Sequence, residues 1–339
     1  MIPSKNISGN AKWDAVFYWL MIIAAMIIAM VIVGGFTRLT GSGLSITQWK
    51  PLYGAIPPLN LSQWMQEFKA YQQIPQFKLL NASMTLEEFK YIFWWEWGHR
   101  QLGRFVGIVF LVPMLYFYCT KKIPESYGKI VILLFLGGGL QGLIGWLMVK
   151  SGLAERVHVS QYRLALHLTF ALILYYWVFY TALLMHQRRF FELPKISLSL
   201  ILTIFVFLQI ISGAFTAGTH AGYIYNTWPL MDTQIIPNGL FNGGLMSLFE
   251  DRLTIQFIHR NLALIVFGLA LWIAYRDIKR KRFINASLLL IVISVQIILG
   301  IITLITVAPV SHIELAALHQ LGGVAVLSVC CYLNVQTTK

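Results

Sequence analysis

Apolar residues run along this chain in eight long stretches, near 15–36, 93–118, 129–149, 162–185, 196–217, 254–275, 284–307 and 314–335. Each is about 20 residues long, enough for a helix to cross roughly 30 Å of hydrocarbon. The pattern predicts an all-α integral membrane protein with eight transmembrane helices. The first stretch is no cleaved signal peptide: it is too long for one and lacks a small-x-small site at its end.

Composition agrees. Of 339 residues, 58% are hydrophobic and only 12% charged, a balance that no soluble core absorbs. The charges are placed unevenly. Lys5 and Lys12 precede the first stretch, and Lys121, Lys122 and Lys129 lie between the second and third. His186, Arg188, Arg189 and Lys195 follow the fourth, and "RDIKRKR" (276–282) follows the sixth. These alternate segments hold most of the Lys and Arg, which predicts both termini in the cytoplasm. The net charge of +13 is then a topology signal with attraction to anionic membrane lipid, and calls for no nucleic acid. No long Arg-rich, acid-poor leader precedes the first stretch, which points to the bacterial inner (plasma) membrane. The three cysteines, Cys119, Cys330 and Cys331, form no CxxC or CxxCH motif and read as buried small apolar residues.

The chain repeats itself. The pattern G-x-F-T-x-x-T-x-x-G-x5-W occurs as Gly34, Phe36, Thr37, Thr40, Gly43 and Trp49, and again as Gly213, Phe215, Thr216, Thr219, Gly222 and Trp228. His99-Arg100 is matched by His259-Arg260, Gln141 with Gly145 by Gln296 with Gly300, and "ALH" at 165–167 by "ALH" at 317–319. The unit is four spans. It predicts two four-helix bundles, 15–185 and 196–335, as parallel repeats about an axis along the membrane normal. The outer segment of the first half, about 38–91, is longer than its counterpart at about 218–252. It carries "TLEE" (85–88), a capping box that would start a helix leading into the second span. It reads as a connecting segment on the outer surface.

Each half places two histidines at one depth near the outer leaflet: His99 with His167, and His259 with His319. The others fit loops, His158, His220 and His312 outside and His186 inside. Histidine within a membrane marks a functional site more often than not. Two imidazoles from facing helices suit an iron porphyrin, whereas zinc would want three or four ligands. Neutral imidazoles hydrogen-bonded across a helix interface are the alternative. Gly103, Gly107, Gly138, Gly142 and Gly145 would let a flat macrocycle approach, or serve close helix packing. Arg100, Arg104, Arg163 and Arg260 lie at the same level, to pair with propionates or to snorkel. Glu96, three residues before His99, is a candidate for proton or cation chemistry, or else a surface carboxylate paired with Arg100. Its counterpart before His259 is Gln256, which does not ionise.

With E-x-x-H-R in the second span, histidines in the fourth, sixth and eighth, and duplicated halves, the chain resembles the heme A synthase family from about 15 to 335. "EWGHR" and the long first outer segment resemble its alpha-proteobacterial and mitochondrial branch. Some members carry a cysteine pair in outer loops; this sequence does not. The resemblance implies oxidation of the C8 methyl of heme O to the formyl of heme A, through successive hydroxylations and loss of water. It implies a resident heme b on His259 and His319, a substrate heme near His99 and His167, and catalytic importance for Glu96. It leaves open whether His99 and His167 ligate the substrate iron together; two axial imidazoles would block oxygen from that iron, so joint ligation would have to change during turnover. Heme O synthase and an electron donor are the implied partners. Two readings of other classes compete: a two-heme electron-transfer cytochrome, in which Glu96 is dispensable, and a parallel-repeat transporter with the histidines as proton relays.

Overall fold

The computed structural model describes residues 7–50, 53–155, 157–307 and 313–337. Lys5 and His312 lie outside the described residues. The structure is helical, and its only β pairing among those residues is an isolated bridge between Met231 and Gln234.

Among the described residues, eight helices are long and apolar enough to cross a membrane. They are α1 (Ile7–Leu39), α4 (Leu86–Cys119), α5 (Glu125–Glu155), α6 (Gln161–His186), α7 (Leu198–Gly218), α9 (Arg252–Lys279), α10 (Phe283–Thr306) and α11 (Ile313–Thr337). Each overlaps one expected stretch, and several run past it because capping residues outside the apolar run start the helix. At α4 the hydroxyl of Thr85 accepts from the Glu88 amide at 3.3 Å, and the Glu88 carboxylate accepts from the Thr85 amide at 2.7 Å. The predicted capping box is thus formed. Asp251 caps α9, and Ser197 caps α7, each through its side chain. The long segment between α1 and α4 is itself structured. It holds α2 (Leu61–Tyr71) and α3 (Pro75–Leu80), packed through Phe68, Tyr71 and Ile74 against Phe89 and Phe93 of α4. A further single turn, α8 (Ser247–Glu250), precedes α9.

In the first half α1 packs on α4 and α6, and α5 on both of these; in the second, α7 packs on α9 and α11, and α10 on both. The halves meet where α6 packs on α7 and α11, and α1 on α11. Buried polar side chains tie this seam, as they do between helices in lipid. Asn334 of α11 donates to the Tyr176 hydroxyl of α6 at 2.9 Å and to Thr203 of α7 at 2.8 Å. Gln320 of α11 donates to the Val31 carbonyl of α1 at 2.8 Å, and Arg38 donates to the Ala217 carbonyl.

Both terminal helices have their free ends at one end of the bundle. There Arg188 pairs with Asp14 at 2.6 Å, and Arg189 donates to the Val335 carbonyl at 2.9 Å. This is also the end that carries the basic connections, hereafter the basic end. The main apolar core lies in that half of the bundle: Leu20 and Ile23 of α1, Tyr127 of α5, Tyr180 and Met185 of α6, Leu202 of α7, Leu289 of α10 and Leu327 of α11 are fully buried. The four membrane histidines lie in the opposite half. Cys330 and Cys331 are buried in the core as expected, but Cys119 is exposed. It sits at the last residue of α4, past the packed faces, so the expectation of burial fails for it.

Candidate functional site

Each of the four histidines stands on a helix whose predecessor in its half offers a glycine at the same level. Gly34 of α1 faces His99 of α4, Gly145 of α5 faces His167 of α6, Gly213 of α7 faces His259 of α9, and Gly300 of α10 faces His319 of α11. A methyl group on these glycines would stand 3.0, 2.9, 3.1 and 2.8 Å from the respective imidazole. No side chain larger than hydrogen fits without moving the ring, so the glycine fixes how closely the imidazole beds against the neighbouring backbone.

Four residues before three of these glycines stands a glutamine, one helical turn along the same face. The Gln141 amide donates to the His167 carbonyl at 3.1 Å and lies 3.1 Å from its Nδ1. Gln209 does the same for His259, at 3.1 Å from the carbonyl and 3.2 Å from Nδ1, where the Ser212 hydroxyl also lies at 2.8 Å. Gln296 donates to the His319 carbonyl at 2.9 Å. His99 and His167 lie within electrostatic reach of each other, as do His259 and His319.

Glu96 is buried, not a surface carboxylate, with 2% of its area exposed. It is paired with Arg100 all the same. One carboxylate oxygen accepts from the Arg100 guanidinium at 2.6 and 3.1 Å; the other accepts from the Ser45 hydroxyl and the Ile46 amide, both at 2.8 Å. Arg100 reaches on to the carbonyls of Ile46 and Gln48 at 2.9 and 3.1 Å. The pair therefore staples the segment after α1 onto α4, beside His99. The second half builds the same staple without a carboxylate. Gln256 donates to the Tyr225 carbonyl at 2.9 Å, and Arg260 donates to the carbonyls of Tyr225 and Thr227 at 2.8 and 3.0 Å.

Of the other arginines expected at this level, Arg104 donates to the Lys50 carbonyl at 3.1 Å and Arg163 to the Leu147 carbonyl at 2.6 Å. Loop and helix-end carbonyls thus take the guanidinium groups that the sequence offers to propionates or headgroups. Gly107, Gly138 and Gly142 face open space, whereas Gly145 is the imidazole's bed. Gly103 has the Met30 methyl 3.7 Å from where its own Cβ would be.

The donor set fits a porphyrin iron better than a bare metal ion. Among the described residues no three His, Cys, Asp or Glu groups gather to hold a metal. At this level each half supplies two imidazoles, the number a porphyrin leaves free on its iron. Polar atoms at the site also lack partners: His319 Nδ1 and the side-chain oxygens of Gln141, Gln209 and Gln296 are buried without a hydrogen bond. Buried orphans of this kind mark places completed by something else. Sequence reasoning singled out the histidines but none of the four glycine beds, and it missed Gln209. The signal for the latter was present, because Gln209 and Gly213 repeat the spacing of Gln141 with Gly145.

The model of the COX15-CtaA family, described as cytochrome oxidase assembly protein, matches residues 17–331. A protein named heme A synthase from Parvibaculum lavamentivorans is 43% identical over 329 residues, 95% of this chain and 94% of that one. One of the same name from Bradyrhizobium diazoefficiens is 44% identical over 330 residues, 94% and 91% of the two chains. A third, from Azorhizobium caulinodans, is 45% identical over 322 residues, 92% and 91%.

Proposed function

The chain belongs to the COX15-CtaA family of cytochrome oxidase assembly proteins, and from that premise we propose that it is a heme A synthase of the bacterial inner membrane. Its substrate is heme O, whose C8 methyl it oxidises to a formyl group. The methyl becomes a hydroxymethyl and then a geminal diol. Each step inserts one oxygen atom of dioxygen, while two electrons from the donor and two protons carry the other off as water. The diol loses water to leave the aldehyde. The observation that carries the reading is near full-length likeness to relatives named for that activity, spanning all four histidines.

In this reading the halves divide the work as parallel repeats, and the matched helix neighbours in each half support that relation. His259 and His319 hold a resident heme b, which supplies a one-electron relay when bound. Gln209 and Ser212 fix the His259 ring so that one nitrogen faces the iron. His99 and His167 receive the substrate heme. The Glu96–Arg100 staple folds the outer segment over that half and limits water at the site. Glu96 is the carboxylate nearest in sequence to His99, and it manages the proton transfers that oxidation of the methyl requires. The second half needs no such group and has Gln256. Heme O synthase and a membrane electron donor are the partners this chemistry requires. Both termini face the cytoplasm, which puts the histidine level toward the outer leaflet.

Purified protein is analysed by pyridine hemochrome and by mass spectrometry of extracted porphyrins. Heme b together with heme O, heme A or a hydroxylated intermediate is expected. His259→Ala and His319→Ala each remove the low-spin spectrum of the resident heme. Protein with hemes b but no modified porphyrin, and with normal turnover of electrons in Glu96→Gln, would favour the electron-transfer cytochrome. Absence of any porphyrin would favour the transporter.

A further inference from the structure

The glutamine clamp is present at three of the four histidines and missing at the fourth. Four residues before Gly34, where the others have glutamine, stands Met30. A thioether has no proton to donate, so nothing there ties the His99 carbonyl or ring to α1. Among the described residues, no hydrogen bond to the His99 imidazole or carbonyl from a side chain of α1 is formed, while His167 and His259 are held at both Nδ1 and the carbonyl, and His319 at the carbonyl alone. The orientation of the ring differs as well. At Gly145, Gly213 and Gly300 the imidazole atom nearest the glycine is Cε1; at Gly34 it is Nε2, 3.0 Å from where a Cβ would stand. His99 thus turns against α1 the nitrogen most often used for iron.

We infer that His99 is the exchangeable imidazole of the substrate half, resting against Gly34 when it leaves the iron, while His167 remains as the fixed one. This rests on the heme-binding reading given above and adds to it which ligand moves. Gln141, Gln209 and Gln296 are positioning residues. Each pins a histidine's backbone, Gln141 and Gln209 also limit the swing of the ring, and at His99 the missing clamp leaves both backbone and ring untied to α1. Glycine at 34 gives the released ring room, and Met30, flexible and apolar, fills the gap without holding it. The second half, clamped at both histidines, keeps its iron closed, as suits a relay.

The test uses full-length protein purified with its resident heme, titrated with hemin, reduced with dithionite and mixed with carbon monoxide, which binds only where an axial position opens. Heme content is counted by pyridine hemochrome throughout. In the wild type, carbon monoxide binds the added heme and not the resident one. Met30→Gln supplies the missing clamp and slows that binding roughly tenfold at unchanged heme content, the effect of one added hydrogen bond. His99→Ala retains the added heme on His167 and binds carbon monoxide faster than the wild type. His167→Ala loses most of the added heme. Met30→Gln with full heme content and a wild-type rate overturns the inference. So does retention of heme by His167→Ala but not by His99→Ala, and that comparison decides the matter if Met30→Gln fails to fold. Carbon monoxide binding to the resident heme also overturns it. Wild-type protein that holds no porphyrin overturns the reading beneath, and hemochrome analysis alone tells that failure apart.

Discussion

Gly300 of α10 and His319 of α11 approach so closely that a methyl group in place of the glycine hydrogen would stand 2.8 Å from the imidazole Cε1. Side chains do not tolerate such contacts, so Gly300→Ala must turn the ring or part the helices. Overpacking of this kind costs about 1–3 kcal/mol. The variant is expected to lose most of the low-spin absorbance of the second-half heme, measured against total heme. Gly268→Ala, where nothing lies within 4 Å, serves as control and leaves the spectrum unchanged.

Glu96→Gln separates chemistry from stapling. The buried carboxylate accepts four hydrogen bonds, two of them from Arg100. An amide keeps one acceptor oxygen and turns two donors toward donors, leaving the guanidinium without its counter-charge. Breaking a buried pair in this way costs about 3 kcal/mol. Extracted porphyrins are expected to show little heme A, accumulated heme O or a partly oxidised intermediate, and resident heme b at its normal level. Normal heme A output would remove Glu96 from the reaction. Faster proteolysis in the segment at 42–60, compared with wild type, would measure how much of the loss comes from the released staple.

Stability is expected to fall with acidification through two histidines outside the membrane spans. The rings of His158 and His220 lie 5.1 Å apart where the halves meet. Burial, then the Arg38 guanidinium, lowers the pKa of His158. Burial, then Arg38, His158 and Arg252, lowers that of His220. The unfolded chain takes up these protons first, near pH of about 6.5. The contribution is therefore whole above that pH and is lost as pH falls through the depressed folded values. A His158→Gln, His220→Asn double variant should flatten the fall in Tm between about pH 6.5 and 5. Asn is chosen at 220 because φ there is 57°, a region Asn tolerates. An unchanged slope would show that other groups set the acid limit.

Orientation is tested by reporter fusions. Those placed after Lys195 and after Arg282, at the basic end, should read cytoplasmic; those near Gly54 and Asn238 should read outside. A cytoplasmic result near Gly54 would contradict a repeat of four spans with one orientation.

The spans were legible because a crossing helix needs an unbroken apolar run, and the histidines because an ionisable ring stands out in one. Contacts between helices were less so. Gly213 and His259 lie far apart in sequence, and nothing in either stretch says that one beds the other. Faces toward lipid and faces toward protein are equally apolar, so Cys119 could not be told from Cys330 by composition. Glu96 and Arg100 were recognisable as neighbours one turn apart on α4. That their partners would be Ser45, Ile46 and Gln48 depended on how the segment after α1 folds back, which no periodicity encodes.

The hydrogen bond from Gln320 to the Val31 carbonyl joins the last spanning helix to the first, one turn from Gly34. During synthesis α1 leaves the ribosome before any other span, and α11 after all of them. A nascent chain that has inserted its first four spans already owns His99 and His167, yet the helix that backs His99 still lacks its brace from α11. The first half is therefore braced only once α11 has been made, although every one of its own residues was made long before.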